Sequence, residues 1–325
     1  MRAARCVEYG PPESVVIETV PDPVAQPGQV VVDVRYAAVN FPDVLLVANR
    51  YQVPVPLPFT PGSEFAGVVR AVGDGVVGVA AGDHVFGSTM MGAFAEQVVV
   101  PAPTLTRVPD GVDLRSAAAF GVAHSTAYHA LRSVAEVQPG EWVLVLGAAG
   151  GVGLAAVELA TALGARVVAA AGGVEKLELC VRQGAVATVD YSCEDLKNRV
   201  KEITGGGAGV VIDPVGGAYS EAALRATRFG SRFVVVGFAS GEIPRIPLNL
   251  VLLKGTIVRG FEMRTFFEHE PERAQRDAAE LLALLAAGKV RPFVSTVHPL
   301  AETPRALRSM LDRTAMGKVL IDVGN

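Results

Sequence analysis

Two textures of apolar and polar residues follow one another along the chain. Up to about Val108, short β-like runs (Val15–Val20, Gln29–Val34, Glu64–Val72, His84–Phe86, Ala95–Val100) are separated by turn residues at Pro21–Pro23, Pro27–Gly28, Gly73–Gly75 and Ala81–Asp83. Strand-length runs punctuated by Pro, Gly and Asp predict a compact all-β unit. Past Pro109, strands are expected at Trp142–Leu146, Arg166–Ala170, Thr188–Asp190, Val210–Asp213, Arg232–Val236 and Thr256–Gly260. Helical segments intervene from the glycine turn to Leu163 and at Lys176–Gln183, Cys193–Ile203 and Tyr219–Thr227. Near-continuous apolar strands alternating with helices predict an α/β domain, a doubly wound parallel sheet covered on both faces. From about Pro271, Ala274, Ala278, Leu281, Leu282 and Leu285 fall near helical spacing, with a stop at Gly288. Val290–His298, Thr303–Leu311 and Lys318–Val323 then read as strand, helix, strand. These can return to complete the first domain, which would then comprise 1–119 and 265–325 around an inserted domain at 120–264.

The strand Trp142–Leu146 runs into Gly147, Gly150, Gly151 and Gly153 and then an Ala/Leu-rich helix. Without β-carbons the backbone there can turn sharply and let a pyrophosphate approach the amides at the positive end of the helix. The spacing departs from the strict G-x-G-x-x-G, and a tight turn without a ligand is the alternative; the strand and helix on either side favour dinucleotide binding.

Composition narrows the rest. Half of the 325 residues are hydrophobic and the formal charge is −4, an ordinary soluble enzyme balance. No Lys/Arg cluster or basic aromatic stripe appears, so no nucleic acid partner is expected. Uncharged apolar runs stay short of the roughly 18–20 residues of a membrane span. Met1–Glu8 has no signal-peptide core, so a cytoplasmic protein is expected. Cys6, Cys180 and Cys193 form no paired motif and read as reduced packing residues.

Asn40–Asp43, Pro61–Val69, Val79–Phe86, Ser125–Tyr128, Gly147–Gly153 and Val236–Phe238 together resemble the medium-chain dehydrogenase/reductase superfamily, and within it the zinc-independent NADPH:quinone oxidoreductases. The resemblance spans nearly the whole chain. It implies a GroES-like substrate domain, a Rossmann cofactor domain, a site in the cleft between them and a homodimer made through the Rossmann sheets. Zinc alcohol dehydrogenases of the superfamily carry a cysteine before the first site loop, a histidine in the Pro-Gly-His-Glu segment and a further cysteine before Ser-Thr-Gly-Tyr. Here Ala37–Asp43 has no cysteine, Ser63 takes the histidine position and Val122 stands near the third. The four-cysteine lobe is also missing, Met90–Phe94 being a short connection without cysteine. A catalytic zinc needs about three ligands, so no metal is expected. A quinone suits that loss, because its reduced oxygens are phenol-like, with a pKa near ~10, and accept hydride with little help.

NADPH is expected over NADH because the second strand ends Val168–Gly173 without an acid, Glu175 lying one helical turn further on. Lys176 is placed to meet a 2′-phosphate, and Tyr191 matches a family residue beside the adenosine phosphate, with Gly172 at the same turn. The diphosphate falls to Gly150, Gly151, Val152, Gly153 and Leu154. Nicotinamide contacts carried over from the family fall on Asn40, Thr126, Gly237, Phe238, Ala239, Phe261 and Met263. Asn40 and Tyr51 are the candidate catalytic residues. Tyr51 either lines the cleft or donates a proton to an enolate, which would suit a 2-enoyl-thioester reductase instead. His124 and His129 read as structural, and Lys318 can approach either cofactor or solvent, with solvent the default. A low-turnover NADPH-binding protein with a structural or regulatory role is the alternative from outside catalysis.

Overall fold

Strand formation begins earlier and runs further than the periodicity indicates. In a computed structural model describing residues 1–324, the chain opens with β1 (Arg2–Cys6) and β2 (Val15–Thr19), an antiparallel pair. There follow β3 (Gln29–Val39), helix α1 (Phe41–Val47), β4 (Glu64–Val72), β5 (His84–Ser88), β6 (Gln97–Pro101), β7 (Leu105–Arg107) and α2 (Leu114–Ala118). β3 outlasts its apolar alternation because Arg35 is an extra residue in its ladder with β4: Val34 pairs with Gly67 and Tyr36 with Ala66. The bulge switches the inward phase from Val30, Val32 and Val34 to Ala37 and Val39, all of which reach the same core.

The chain continues through α3 (Gly121–His129), whose last turn widens into a π-helical segment at Ala130–Val134. Next come β8 (Trp142–Leu146), α4 (Gly151–Ala162), β9 (Arg166–Ala171), α5 (Val174–Arg182), β10 (Ala187–Asp190), α6 (Leu196–Thr204), β11 (Ala208–Asp213), α7 (Ala218–Arg225) and β12 (Thr227–Val235). α8 (Leu248–Lys254), β13 (Ile257–Gly260), α9 (Met263–His269) and α10 (Pro271–Ala286) complete this region; α8 and α9 have no counterpart among the expected elements. The six strands are parallel in the order β10-β9-β8-β11-β12-β13. Leu144, Leu146, Val168, Val211 and Phe233 are fully buried in the core of this sheet, as expected for strands covered on both faces.

Last come β14 (Val294–Pro299), α11 (Thr303–Leu311) and β15 (Lys318–Asp322). β15 pairs antiparallel with β3, which gives one sheet the path β14-β15-β3-β4-β5-β7, with β6 sharing β3's edge. The chain accordingly forms two compact units, Met1–Val122 with the segment from Arg291 onward, and Ala123–Val290. The second break lies beyond the 265 read from the sequence. α10 stays with the parallel-sheet unit because it packs on α9 and the π-helical segment, where buried Asp277 accepts from Ser133 Oγ at 2.5 Å and pairs with His129 Nδ1 at 3.0 Å.

Cys6 and Cys180 are buried, and burial pushes their thiols up to about 11 and about 12. Cys193, also expected to pack, is exposed.

The turn after β8 depends on two glycines. Gly147 sits at φ +56°, and a Cβ on Gly153 would lie 2.2 Å from the Gly147 carbonyl oxygen. Gly153→Ala is therefore expected to lower stability by about 1–3 kcal/mol in urea unfolding. Gly150→Ala, whose Cβ would stand 3.3 Å from the same oxygen, is expected to lose less.

Candidate active site

The turns after β8, β9, β10, β12 and β13 all leave the carboxyl ends of the parallel strands, and the strand order reverses between β8 and β11. Ligands of open α/β sheets bind at such a reversal. β8 delivers the Gly147 turn there. The Gly150 N–H bonds the Gly147 carbonyl at 2.9 Å, and the Leu154 N–H bonds that of Gly150 at 2.8 Å. The Leu154 N–H is thus committed to its helix and its side chain to the core. The amides of Gly151, Val152 and Gly153 belong to the first turn of α4, where N–H groups have no helical acceptor and the helix dipole is positive.

At the end of β9, Gly172 and Gly173 turn the chain into α5, which carries partly buried Lys176 in its first turn. Tyr191, following β10, stacks on Tyr219 with ring centroids 4.2 Å apart. Between them stands Asp190, which the sequence reading did not consider. Its carboxylate accepts from Ser192 Oγ at 2.5 Å, Ser192 N at 3.0 Å and Gly173 N at 3.1 Å. The Ser192 hydroxyl, ahead of these backbone donors, holds it below the usual carboxylate range. The acid is therefore engaged in holding the turn.

Buried Asp213, at the end of β11, serves the next turn in the same way, accepting from Ser220 Oγ at 2.5 Å, Val215 N at 2.8 Å and Gly216 N at 2.9 Å. The Gly237–Ala239 segment after β12 is laced to it by Ala239 N on the Pro214 carbonyl at 3.1 Å, with Phe238 exposed. After β13, the Phe261 ring is buried, 5.4 Å from Phe266 and 6.1 Å from His129 by centroid. Met263 stays partly exposed where Glu262 caps α9. Thr126 is partly buried on α3. His124 and His129 are buried and paired, His124 with Glu158 at 3.1 Å, in keeping with a structural reading.

A separate polar cluster lies within the unit formed by the two chain ends. Asn40 follows β3 and caps the start of α1; Glu64 opens β4; Lys318 opens β15. Lys318 is 3% exposed and donates from Nζ to Asn40 Oδ1 at 2.7 Å and Glu64 Oε2 at 2.9 Å. This corrects its reading as a solvent-facing lysine. Asn40 Nδ2 donates to Glu64 Oε2 at 3.1 Å, and the other Glu64 oxygen accepts the Val122 N–H at 2.8 Å. Asp43, fully buried, accepts the Asn40 N–H at 2.7 Å. Burial pushes its carboxyl up to about 7, against the pull of the Asn40 N–H, the Ser63 hydroxyl and the Lys318 charge, with Glu64 adding to the rise. Glu64 was visible as an acid heading an apolar strand and Lys318 as a cation heading another; only the pairing of both β4 and β15 with β3 joins them.

Tyr51 is partly buried against the hydrophobic core of this unit. Among the described residues, no group of three or more His, Cys, Asp or Glu is arranged to hold a metal ion. No described helix is long and apolar enough to cross a membrane.

The profile for the alcohol dehydrogenase GroES-like domain matches residues 26–110, and that for a zinc-binding dehydrogenase matches 151–286. A bovine quinone oxidoreductase-like protein 2 is 40% identical, across 99% of this chain and 92% of its own. Human quinone oxidoreductase is 31% identical across 99% and 97%. This chain belongs to the quinone oxidoreductase family of the medium-chain dehydrogenase/reductases. It is an oxidoreductase, with the GroES-like and Rossmann-type architecture of that family. The Escherichia coli quinone oxidoreductase complexed with NADPH superposes at a TM-score of 0.92, with 29% identity over 99% of this chain and 100% of that one.

The raised Asp43 carboxyl sets a sign for the pH dependence of this family member. The folded chain keeps a proton that the unfolded chain, with an ordinary pKa near ~4, releases, so this residue's contribution to stability declines as pH rises from about 4 to about 7. Asp43→Asn preserves an acceptor for the Asn40 N–H. Its urea midpoint is expected to gain on the wild type progressively over that range, with the difference smallest in acid.

Proposed function

We propose that this oxidoreductase transfers a hydride from NADPH to a quinone or related α,β-unsaturated carbonyl without a catalytic zinc, as a cytoplasmic homodimer. The observation that carries the cofactor assignment is the glycine-rich first turn of α4, placed where the sheet order reverses, with Gly172–Gly173 and no acid at the end of β9. The relatives point the same way: the Escherichia coli quinone oxidoreductase is described as complexed with NADPH. The residues fit such a nucleotide. Gly151, Val152 and Gly153 offer amides for the diphosphate. Lys176 and Tyr191, the latter against Gly172, are assigned to the adenosine end, where the Asp190 carboxylate is taken up by Ser192 and Gly173. Thr126, Gly237–Ala239, Met263 and Asn40 are assigned to the nicotinamide end.

A zinc does not fit. At the positions where zinc dehydrogenases carry ligands stand Ser63 and Val122, and the neighbouring polar centre is filled by the Lys318 ammonium. When bound, NADPH supplies the hydride. The protein's part is to hold donor and acceptor in line and exclude water, which is sufficient for an acceptor whose reduced form is phenol-like. Tyr51 lines the acceptor site.

Self-association is supported by β13, an edge strand with all four residues Ile257–Gly260 exposed, and by Leu248, Leu252 and Leu253 on α8, more than 70% exposed. A dimer is expected in sedimentation, and Leu253→Glu is expected to shift it to monomer.

The catalytic reading is tested with an acceptor panel of quinones, enones and enoyl thioesters. Quinone turnover with kcat/KM higher for NADPH than NADH is expected. Lys176→Ala should lower kcat/KM for NADPH about tenfold while leaving NADH nearly unchanged, the loss expected for one charged hydrogen bond. A preference for NADH or stoichiometric zinc in the purified protein would refute the assignment. Reduction of enoyl thioesters that collapses in Tyr51→Phe while quinone turnover persists would reassign the substrate. Tight NADPH binding with no turnover would leave a binding protein.

A further inference from the structure

The amide of Asn40 is held at both ends by opposite charges. Its Oδ1 accepts from the Lys318 ammonium at 2.7 Å, and one hydrogen of Nδ2 goes to the Glu64 carboxylate at 3.1 Å. Rotating that amide by half a turn would set NH₂ against the ammonium and carbonyl oxygen against the carboxylate, two repulsive contacts inside a site where Lys318 and Glu64 are 3% and 1% exposed. The second Nδ2 hydrogen is in a different position. Its nearest acceptors, Ser63 Oγ and Ala38 O, both stand at 3.4 Å, beyond the usual range of an N–H···O bond. Asn40 therefore keeps one N–H that its own surroundings engage weakly, in an orientation it cannot exchange.

We propose that Lys318 is a positioning residue, fixing the Asn40 amide so that its second Nδ2 hydrogen is presented to the oxygen of the acceptor carbonyl. This rests on the proposed function, in which Asn40 stands at the reacting end. Negative charge grows on the carbonyl oxygen as hydride arrives at the acceptor, and a donor aimed there in advance is worth more in the transition state than in the ground state. The ammonium acts twice. It polarises the amide through a charge-assisted bond at Oδ1, and it offsets the Glu64 charge that would oppose the developing oxyanion. No proton leaves Lys318 or Asn40; the step is hydrogen bonding alone.

Lys318→Met keeps the length of the side chain and removes the charge. With NADPH and a quinone that the wild type reduces, kcat is expected to fall at least about tenfold, with NADPH affinity within about twofold of wild type. Lys318→Met combined with Glu64→Gln restores neutrality to the cluster and is expected to recover thermal stability without recovering kcat. A structural role would recover both. Adding Asn40→Ala to Lys318→Met is expected to lower kcat no further, because the two residues act as one unit.

A second measurement needs no turnover. The chain has five asparagines, Asn40, Asn49, Asn198, Asn249 and Asn325, so ¹⁵N-asparagine labelling yields few side-chain amides. The Asn40 amide is expected to be protected from hydrogen exchange, and Lys318→Met to reduce that protection at least about tenfold. Unchanged protection in the variant, or kcat within about twofold of wild type, overturns the proposal. A wild type that protects the amide but reduces no acceptor overturns the donor role through the proposed function while leaving the amide lock standing.

Discussion

The charge of Lys318 must be met before the sheet that carries it can close. Stripping an ammonium of water costs several kcal/mol, and the expense is offset only when good partners are in place. Here they come from far along the chain: Asn40 just after β3 and Glu64 at the head of β4. The antiparallel register that sets Val319 against Val39 also brings these three side chains together, so strand pairing and charge compensation form together. Glu64 extends the arrangement by accepting the Val122 N–H in the first turn of α3. Asp43 adds a second carboxyl whose burial favours its neutral form, which lets one cation balance one anion in a space with little water.

The parallel-sheet unit meets the opposite requirement. It has to leave backbone amides uncovered where its strand order reverses, and side-chain carboxylates are used to stiffen the turns around them. Asp213 holds the turn after β11, and Asp190 ties the turn after β9, at Gly173, to the one after β10, at Ser192. Gly147 and Gly153 approach so closely that neither turn nor helix start could move without a clash. What results is a rigid frame of hydrogen-bond donors. No nucleophile activated by a neighbouring base stands among these groups; His124 and His129 have their carboxylate partners on structural duty. A site built this way contributes placement and preformed polarity, which is what hydride transfer asks of a protein.

Much of the frame was readable from the order of residues. β4, β8 and α11 begin and end where the apolar pattern places them, and the alternation of strands and helices determines the doubly wound sheet. These features depend on local properties: periodicity, turn chemistry and the missing β-carbon of glycine. The glycine turn was legible for the same reason, since it follows directly from a strand end. Where the reading fell short, a distant residue intervened. The bulge at Arg35 extends β3 past its alternation because β4 and β15 supply partners on either side.

Lys318 marks the boundary most clearly. A lysine heading a strand near the end of a chain is ordinarily hydrated, and nothing within several residues of it says otherwise. Its burial is decided by groups 278 and 254 residues away that can replace water around the ammonium. The order of residues determined the two kinds of sheet and the amide-lined turn, because those follow from neighbours along the chain. Which charges face each other in the buried cluster was settled by tertiary pairing alone, because desolvation depends on what fills the surrounding space.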